Sequence, residues 1–234
     1  MKTCLLIPVK DRANILPILL KAIDALDPQP DKIIFLENNS IDNTLRILKD
    51  YCQIKPLQRQ LIALWLKDGA SSKLDPYTVI AQVRDILLQA ACNFNADYAI
   101  FLDSDVVPLS TDMITLLCKW EKDIVGCSYM QDSQIIIDKG RDMVYRCEIV
   151  GTQCLALSRM ALHHLRFYPL LQNDDDINFC REDYGFSIKA RELAFKLWWY
   201  PNVRLKLVED KKSAIGKRLL SHHFLCPNLY QHFK

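Results

Sequence analysis

Two aspartates that directly follow an apolar run have the spacing best suited to chemistry in this chain. Residues 98–107 read Tyr-Ala-Ile-Phe-Leu-Asp-Ser-Asp-Val-Val, so Asp103 and Asp105 stand two positions apart. Such a short apolar run is typical of a buried strand, and ligands of open α/β sheets bind at the carboxyl edge. Two carboxylates there suit a hard divalent cation with positions left for substrate phosphates. Asp is also common in turns, so the pair alone is a weak signal.

Polar residues also follow the first two apolar runs of the chain. Residues 10–12 (Lys-Asp-Arg) come after the run at 3–9, and residues 37–40 (Glu-Asn-Asn-Ser) come after Ile-Ile-Phe-Leu. Short carboxylate and amide side chains can hydrogen-bond a nucleobase or a ribose. Ser40 or Asp42 would also cap a following helix, which explains Ser40 but not the three residues before it. Residues 10–12 also fit a solvated turn.

A Glu-Asp pair opens an amphipathic segment in the second half of the chain. Glu182 and Asp183 precede apolar residues at helical spacing over 186–195. Acidic residues in the first turn of a helix complement its dipole, which is sufficient reason for their presence. The run Asp174-Asp-Asp176 is interpreted as a solvated loop.

Alternating apolar runs predict the elements that position these residues. Strands are expected near 3–9, 32–37, 61–66 and 98–102, with amphipathic helices at 14–26 and 77–94 between them. This alternation predicts βαβ units and a Rossmann-like, mostly parallel sheet. After Thr111 the pattern becomes α+β, with a helix at 111–121 and strands at 123–130, 143–148 and 149–157. We expect one domain over 1–210 and a C-terminal tail over 211–234.

Composition excludes several classes of protein. The chain has 234 residues, 50% hydrophobic and 25% charged, with a net charge of +2 that gives no case for nucleic acid. Its nine cysteines are odd in number and form no Cys-x-x-Cys pair, which argues against a zinc site or a disulfide framework. A reducing, cytoplasmic location is therefore expected. The first apolar run is too short for a signal peptide, and no run reaches the ~18 residues of a membrane span. A peripheral membrane contact stays open.

These motifs together resemble nucleotide-sugar-dependent glycosyltransferases of the GT-A fold, over about residues 5–205. The resemblance rests on Ile-Pro-Val-Lys-Asp-Arg at 7–12, Glu-Asn-Asn-Ser-Ile-Asp-Asn-Thr at 37–44, an arginine-bearing helix and Leu-Asp-Ser-Asp at 102–105. It is closest to the broad family-two-like group, and the Glu-Asn-Asn-Ser stretch is also similar to Anp-type mannosyltransferases of fungi. The resemblance implies a hexosyltransferase that uses a UDP- or GDP-sugar, Mn²⁺ or Mg²⁺, and a glycan, lipid or protein acceptor.

The resemblance also assigns roles on the donor side of the site. It implies that the nucleotide contacts Pro8, Asp11, Arg12, Glu37, Asn39 and Asp103. Arg84 matches a family arginine that faces the nucleotide or diphosphate, although an exposed helix charge explains it equally well. Asp105 would hold the metal, with Asp103 near the ribose or a metal-bound water. Such a cation would neutralise the leaving diphosphate as Lewis acid and template.

On the acceptor side, the resemblance makes Asp183 the general base of an inverting transfer and places Glu182 against the acceptor. Residues 151–153 (Gly-Thr-Gln) match a strand that lines the sugar pocket, where Thr152 replaces a frequent second glycine. A late histidine, His222, matches a family metal ligand, and the basic tail would close over the diphosphate. An ordinary surface tail is an equal interpretation, and some retaining relatives share the Glu-Asp pair in outline.

Three other functions fit parts of the pattern. A haloacid-dehalogenase-like phosphohydrolase also carries Asp-x-Asp after a strand, and Asp103 would then be the nucleophile and Asp105 the acid/base. That class has the motif on an early strand, whereas three βα units precede it here. A nucleotidylyltransferase needs a glycine-rich first loop, and residues 10–12 contain no glycine. A non-catalytic nucleotide-sugar-binding module would keep the aspartates and lack a base.

Overall fold

A mixed α/β sheet organises the chain. The structure, a computed structural model, describes residues 1–64, 76–127, 142–168 and 181–208. Four parallel strands form one half of the sheet: β1 (Thr3–Val9), β2 (Lys32–Asn38), β3 (Arg59–Leu64) and β4 (Tyr98–Leu102). The helices between them are α1 (Leu16–Asp24), α2 (Thr44–Ile54) and α3 (Pro76–Asn93). The predicted βαβ units are therefore confirmed.

The second half of the chain extends the same sheet. It contributes β5 (Val106–Pro108), α4 (Met113–Cys118), β6 (Ile124–Cys127), β7 (Tyr145–Cys147), β8 (Cys154–Ser158), α5 (Arg159–His164), α6 (Arg181–Glu192), β9 (Leu197–Trp199) and β10 (Leu205–Leu207). The strand order is β3-β2-β1-β4-β8-β6-β9-β7, and β5 and β10 form a separate antiparallel pair. Strand β8 runs antiparallel to both β4 and β6, so the sheet is mostly, not wholly, parallel.

Apolar side chains on both faces of the sheet bury it between two layers of helices. Along β1, Leu5 and Ile7 pack with the face that holds α1, α2 and α4, whereas Cys4 and Leu6 pack with α3, α5 and α6. Strands covered on both faces read as continuous apolar runs, which is why β1, β2 and β4 were recognisable in the sequence. In the described part of the chain, no helix is long and apolar enough to span a membrane.

The predicted strand at 149–157 is wrong in its first half, because β8 begins only at Cys154. Two backbone N–H groups upstream donate to side chains of α6 and not to a neighbouring strand. Val150 N–H donates to Ser187 Oγ at 3.1 Å, and Thr152 N–H donates to Asp183 Oδ1 at 3.2 Å. Gly151, Thr152 and Gln153 thus form a connection before the strand and are not part of it.

The other element predictions need smaller corrections. Strand β3 begins two residues earlier than expected, and residues 65 and 66 of its predicted end lie outside the described residues. Helix α4 is shorter than the predicted 111–121 helix. Residues 128–130 of the predicted strand at 123–130, the Asp174-Asp-Asp176 loop and the tail at 211–234 lie outside the described residues.

Candidate active site

The parallel strands bring three loops together at their carboxyl ends. Because β1 lies between β2 and β4, the residues after each of these strands meet at one edge of the sheet. Two arginines, Arg12 of the first loop and Arg84 of α3, contact the aspartate pair. Arg12 Nη2 lies 3.0 Å from Asp105 Oδ2, and Arg84 Nη2 lies 2.9 Å from Asp103 Oδ1. The aspartates are thus held at this edge by one cation each.

The loops after β1 and β2 are joined by side-chain hydrogen bonds. Asp11, with a positive φ of 50°, donates its N–H to Ser40 Oγ at 2.9 Å. In return Asp11 Oδ1 accepts the N–H of Ile41 at 2.8 Å. Arg12 N–H donates to Thr44 Oγ1 at 2.7 Å. This exchange fixes the loop backbones before any ligand binds.

The capping interpretation of the loop after β2 is wrong for Ser40 and holds in part for Asp42, which bonds the first residue of α2. Ser40 does not cap α2, because its hydroxyl accepts from Asp11. The residue before α2 is Asn43, which makes no side-chain capping bond, and Asp42 Oδ1 accepts the N–H of Thr44 at 2.9 Å. Asn39 has a left-handed backbone, with a φ of 56°, a conformation that Asn tolerates better than most residues.

Buried acceptors without partners mark the end of β2. Glu37 is 1% exposed, and its Oε1 accepts the N–H of Ser40 at 2.5 Å. Glu37 Oε2 and Asn38 Oδ1 are buried and have no hydrogen-bond partner in the described part of the chain. Buried polar atoms are normally paired, so these two are suited to accept from N–H or O–H groups of a ligand. Pro8 lies buried in the adjacent strand, beside Leu36.

Asn38 belongs to the polar stretch recognised in the sequence, but the resemblance assigned nucleotide contacts only to Glu37 and Asn39 on either side of it. Its position directly after Glu37 in the polar stretch was the available signal. Successive side chains of a strand point to opposite faces, so Asn38 lies on the α3 face, on the side where Arg84 meets Asp103.

Arg84 lies inside the protein and not on its surface. Its side chain is 2% exposed; Nη2 donates to Asp103 Oδ1 and Nη1 donates to the Thr152 carbonyl at 3.2 Å. The carboxylates of Asp103, Glu182 and Asp183 raise the pKa of Arg84 against the opposing effect of burial. Burying a cation is tolerated only with such partners. The interpretation as an exposed helix charge is therefore wrong, and Arg84 reaches the site through Asp103.

The aspartate pair is fixed through its backbone as well. Asp103 N–H donates to the Gln153 carbonyl at 2.8 Å, and the Asp105 carbonyl accepts the N–H of Val208 at 2.8 Å. Strand β10 thereby follows β5 and stops beside Asp105. Burial raises the pKa of Asp103, with Asp105 adding to the rise and Arg84 opposing it.

The predicted acidic pair opens α6 beneath the connection before β8. Asp183 is 3% exposed, and its Oδ1 accepts from both the N–H and the hydroxyl of Thr152. Burial first, and then Glu182, raise the pKa of Asp183 to about 8, while Arg84 opposes the rise. The structure thus places Asp183 in one charged cluster with Glu182, Arg84 and Asp103.

The donor set at this edge fits a divalent cation that also takes ligands from a substrate. In the described ranges, no group of three or more His, Cys, Asp or Glu side chains could hold a metal ion. Asp103 and Asp105 supply carboxylate oxygens, the ligands that Mg²⁺ and Mn²⁺ accept, and Mg²⁺ is often bound by one or two carboxylates together with phosphates. The predicted third ligand, His222, lies outside the described residues.

Part of the chain matches a known protein family. Residues 4–72 match the family description Glycosyl transferase family 2. A search of curated protein sequences finds no significant match.

Solved structures extend the similarity beyond that segment. The mannosyltransferase PcManGT from Pyrobaculum calidifontis, in complex with GDP-Man and Mn²⁺, matches with a TM-score of 0.62 at 15% identity, covering 93% of this chain and 59% of that one. TarS from S. aureus with UDP-GlcNAc matches at 0.63 and 15% identity, covering 96% and 62%. GalNAc-T7 with UDP, GalNAc and Mn²⁺ matches at 0.67 and 14% identity, covering 91% and 44%.

The chain spans about three fifths of the length of the first two of these structures. Its likeness to them covers nearly all of its own length, and the sheet carries the paired aspartates at the end of β4. The chain therefore has the GT-A fold, as the sequence predicted, and its residues 4–72 resemble the glycosyltransferases of family 2.

Proposed function

We propose that this protein transfers a sugar from a nucleotide-diphosphate sugar to an acceptor hydroxyl with the help of a divalent metal. The observation that carries the proposal is the meeting of Asp103 and Asp105 with the unpaired acceptors at the end of β2, on one edge of the sheet. This edge offers a place for a cation and a place for a nucleoside side by side. PcManGT with GDP-Man and Mn²⁺ and TarS with UDP-GlcNAc support a nucleotide sugar as donor.

The nucleoside would lie against the carboxyl ends of β1 and β2. Glu37 Oε2 and Asn38 Oδ1 supply acceptors for base N–H or ribose O–H groups. Pro8, Asp11 and Asn39 would form the wall of this pocket, because the bonds between the two loops hold them in place. Both UDP and GDP remain candidates for the nucleotide.

The diphosphate would lie between the nucleoside and the acceptor. A cation held by Asp103 and Asp105, either Mn²⁺ or Mg²⁺, would supply Lewis-acid stabilisation of the leaving diphosphate. Arg84 keeps Asp103 in place from behind, through the 2.9 Å contact. Val208 brings the chain to Asp105 immediately before the tail, so the proposal includes His222 as a third protein ligand.

The acceptor hydroxyl would lose its proton to Asp183 as its oxygen attacks the anomeric carbon, which inverts the configuration. A pKa of about 8 suits this role, because a general base works best when its pKa lies near the working pH. Glu182, next to it, would contact the acceptor, whose class (glycan, lipid or protein) is open. The charged cluster that contains Asp183, Arg84 and Asp103 would link the acceptor and donor halves of the site.

A second candidate is a binding module without catalysis. The bonds from Thr152 and the low exposure of Asp183 support it, because both are typical of a purely structural carboxylate. Turnover separates the two functions. The protein is incubated with a panel of UDP- and GDP-sugars with and without Mn²⁺, with water as the acceptor of the sugar, and release of the nucleotide diphosphate is measured. Metal-dependent release from one donor supports catalysis, whereas tight binding with no release from any donor supports the module.

A further inference from the structure

Arg12 occupies one of the two carboxylates that the proposed metal needs. Its Nη2 lies 3.0 Å from Asp105 Oδ2, and the two side chains are 28% and 29% exposed. A guanidinium and a divalent cation can both bind to a carboxylate oxygen. The two cations therefore compete for Asp105.

The other arginine of the site is held in a different way. Arg84 is 2% exposed and donates to both Asp103 and the Thr152 carbonyl, so leaving its place would strand a buried charge. Arg12 is partly solvated, and its only other described side-chain contact is a 3.3 Å bond from Nη1 to the carbonyl of Asp11. Arg84 is a permanent part of the interior, and Arg12 can change its partner.

The backbone of Arg12 stays in place when its side chain moves. The N–H of Arg12 is tied to Thr44 Oγ1 at 2.7 Å, and the N–H of the next residue, Ala13, is tied to Asp42 Oδ2 at 3.0 Å. A rotation of the long side chain therefore requires no rearrangement of the loop. Contact with solvent weakens an ion pair, so opening this partly solvated pair costs less than releasing the buried Arg84 from Asp103.

We propose, on the basis of the proposed function, that Arg12 is an exchangeable counter-ion: it neutralises Asp105 until a divalent cation takes its place, and it then binds the diphosphate of the donor. An arginine fork matches phosphate oxygens well, so the released guanidinium finds a new anion in the same site. Metal and nucleotide then bind cooperatively. The metal displaces Arg12 from Asp105 and frees it for the diphosphate, and the diphosphate holds Arg12 away from Asp105, where the metal binds. Affinity coupling of this kind is reciprocal.

The test measures Mn²⁺ binding to the nucleotide-free protein by electron paramagnetic resonance of free Mn²⁺. Arg12→Met removes the competing cation, and Lys10→Met removes an equal charge from an exposed side chain two residues away. We expect Arg12→Met to bind Mn²⁺ about 1.5- to fivefold more tightly than Lys10→Met, the range typical of an ion pair that is open to solvent. Arg12→Lys, which keeps a cation, should lie between Arg12→Met and the wild type.

The second measurement repeats the titration in the presence of UDP or GDP, whichever binds the wild type. In the wild type the nucleotide should tighten Mn²⁺ binding, and in Arg12→Met this enhancement should be smaller than in Lys10→Met. If Arg12→Met does not fold, judged by circular dichroism, Arg12→Gln carries the same expectations.

Failure of this inference differs from failure of the proposed function. If Arg12→Met binds Mn²⁺ no more tightly than Lys10→Met, or more weakly, Arg12 is not a competing counter-ion and the inference is overturned. In that case Asp105→Asn should still weaken Mn²⁺ binding. If Asp105→Asn leaves Mn²⁺ binding unchanged, the metal site itself is wrong and both proposals are overturned.

Discussion

The charged residues of this site could be identified from the sequence. Their burial and their partners could not be predicted from it. Glu182 and Asp183 were recognisable as an acidic pair, and the interpretation as a helix-dipole complement explained them without a site. Asp183 is buried against Thr152, thirty-one positions away in the chain, which donates two hydrogen bonds to it. Such a contact is set by tertiary packing, and no local pattern records it. The same holds for Arg84, whose interior position a helical pattern did not reveal.

The raised pKa of Asp183 predicts a dependence of stability on pH. In the unfolded chain the pKa of an Asp is about 3.9, and in the folded protein that of Asp183 is about 8. Between these values the folded state binds more protons, so the free energy of unfolding should fall as pH rises from about 4 to about 8. Asp183→Asn, which keeps the acceptor for Thr152, should lack this fall. Urea titrations of both proteins at pH 5 and pH 8.5 measure the difference, and equal losses in both would contradict it.

The same residue predicts a loss of turnover without a loss of donor binding. Asp183→Asn should reduce kcat by the ~10²–10⁴ typical of a missing general base, while nucleotide affinity stays close to that of the wild type. In the wild type, kcat/KM should rise with pH up to about 8, as the carboxyl group ionises. Nuclear magnetic resonance of the product reports its anomeric configuration. Retention of the donor's configuration, or near-normal turnover of the variant, would return Asp183 to a structural role.

Arg84 gives a prediction about stability at the residue scale. Arg84→Met leaves a group of carboxylates without its buried cation, and breaking a buried pair typically costs about 3–5 kcal/mol, less here because Asp103 is partly exposed. Lys49→Met, which removes an exposed charge from α2, should cost almost nothing. Urea midpoints compare the two variants. Combining Arg84→Met with Asp103→Asn should cost less than the sum of the single changes, and strict additivity would show that the pair is not coupled.

At the scale of elements, continuous apolar runs predicted β1, β2 and β4 within one residue of their observed ends. The same rule failed at 149–153, where apolar Ile149 and Val150 precede β8. There the backbone bonds to Ser187 and Asp183, and sequence periodicity carries no information about side chains that compete for backbone N–H groups. Three-residue strands such as β7 and β9 are also too short to show a period.

The packing of this connection against β6 gives a prediction at the element scale. A Cβ atom added at Gly126 would lie 3.0 Å from Val150 Cβ and 3.2 Å from Val150 Cγ1. Val is stiff, so the connection would have to shift. Gly126→Ala should therefore destabilise the protein by about 1–3 kcal/mol, the usual cost of overpacking. A denaturant midpoint equal to that of the wild type would show that residues 150–152 adjust freely.

At the scale of the whole molecule, the fold explains why scattered motifs form one site. Residues 10–12, 37–40 and 103–105 are far apart in sequence, and the order β2-β1-β4 places them at adjacent strand ends. This part of the site was predictable, because parallel strands always align their carboxyl ends. The antiparallel β8 and the β5–β10 pair, which bring Gln153 and Val208 to the aspartates, follow from long-range pairing that no short pattern encodes.

In the proposed function, Asp105 makes nucleotide binding depend on a divalent metal. Calorimetry with UDP and GDP, in the presence of Mn²⁺ or of a chelator, measures this dependence. The matched control for Asp105→Asn is Asp112→Asn, an exposed carboxylate seven positions away that makes no capping bond to α4. One nucleotide should bind the wild type and Asp112→Asn tightly with Mn²⁺ and weakly in chelator. Asp105→Asn should lose this Mn²⁺-dependent gain in nucleotide affinity. Equal affinity in Mn²⁺ and in chelator, or full retention of the gain in Asp105→Asn, would contradict it.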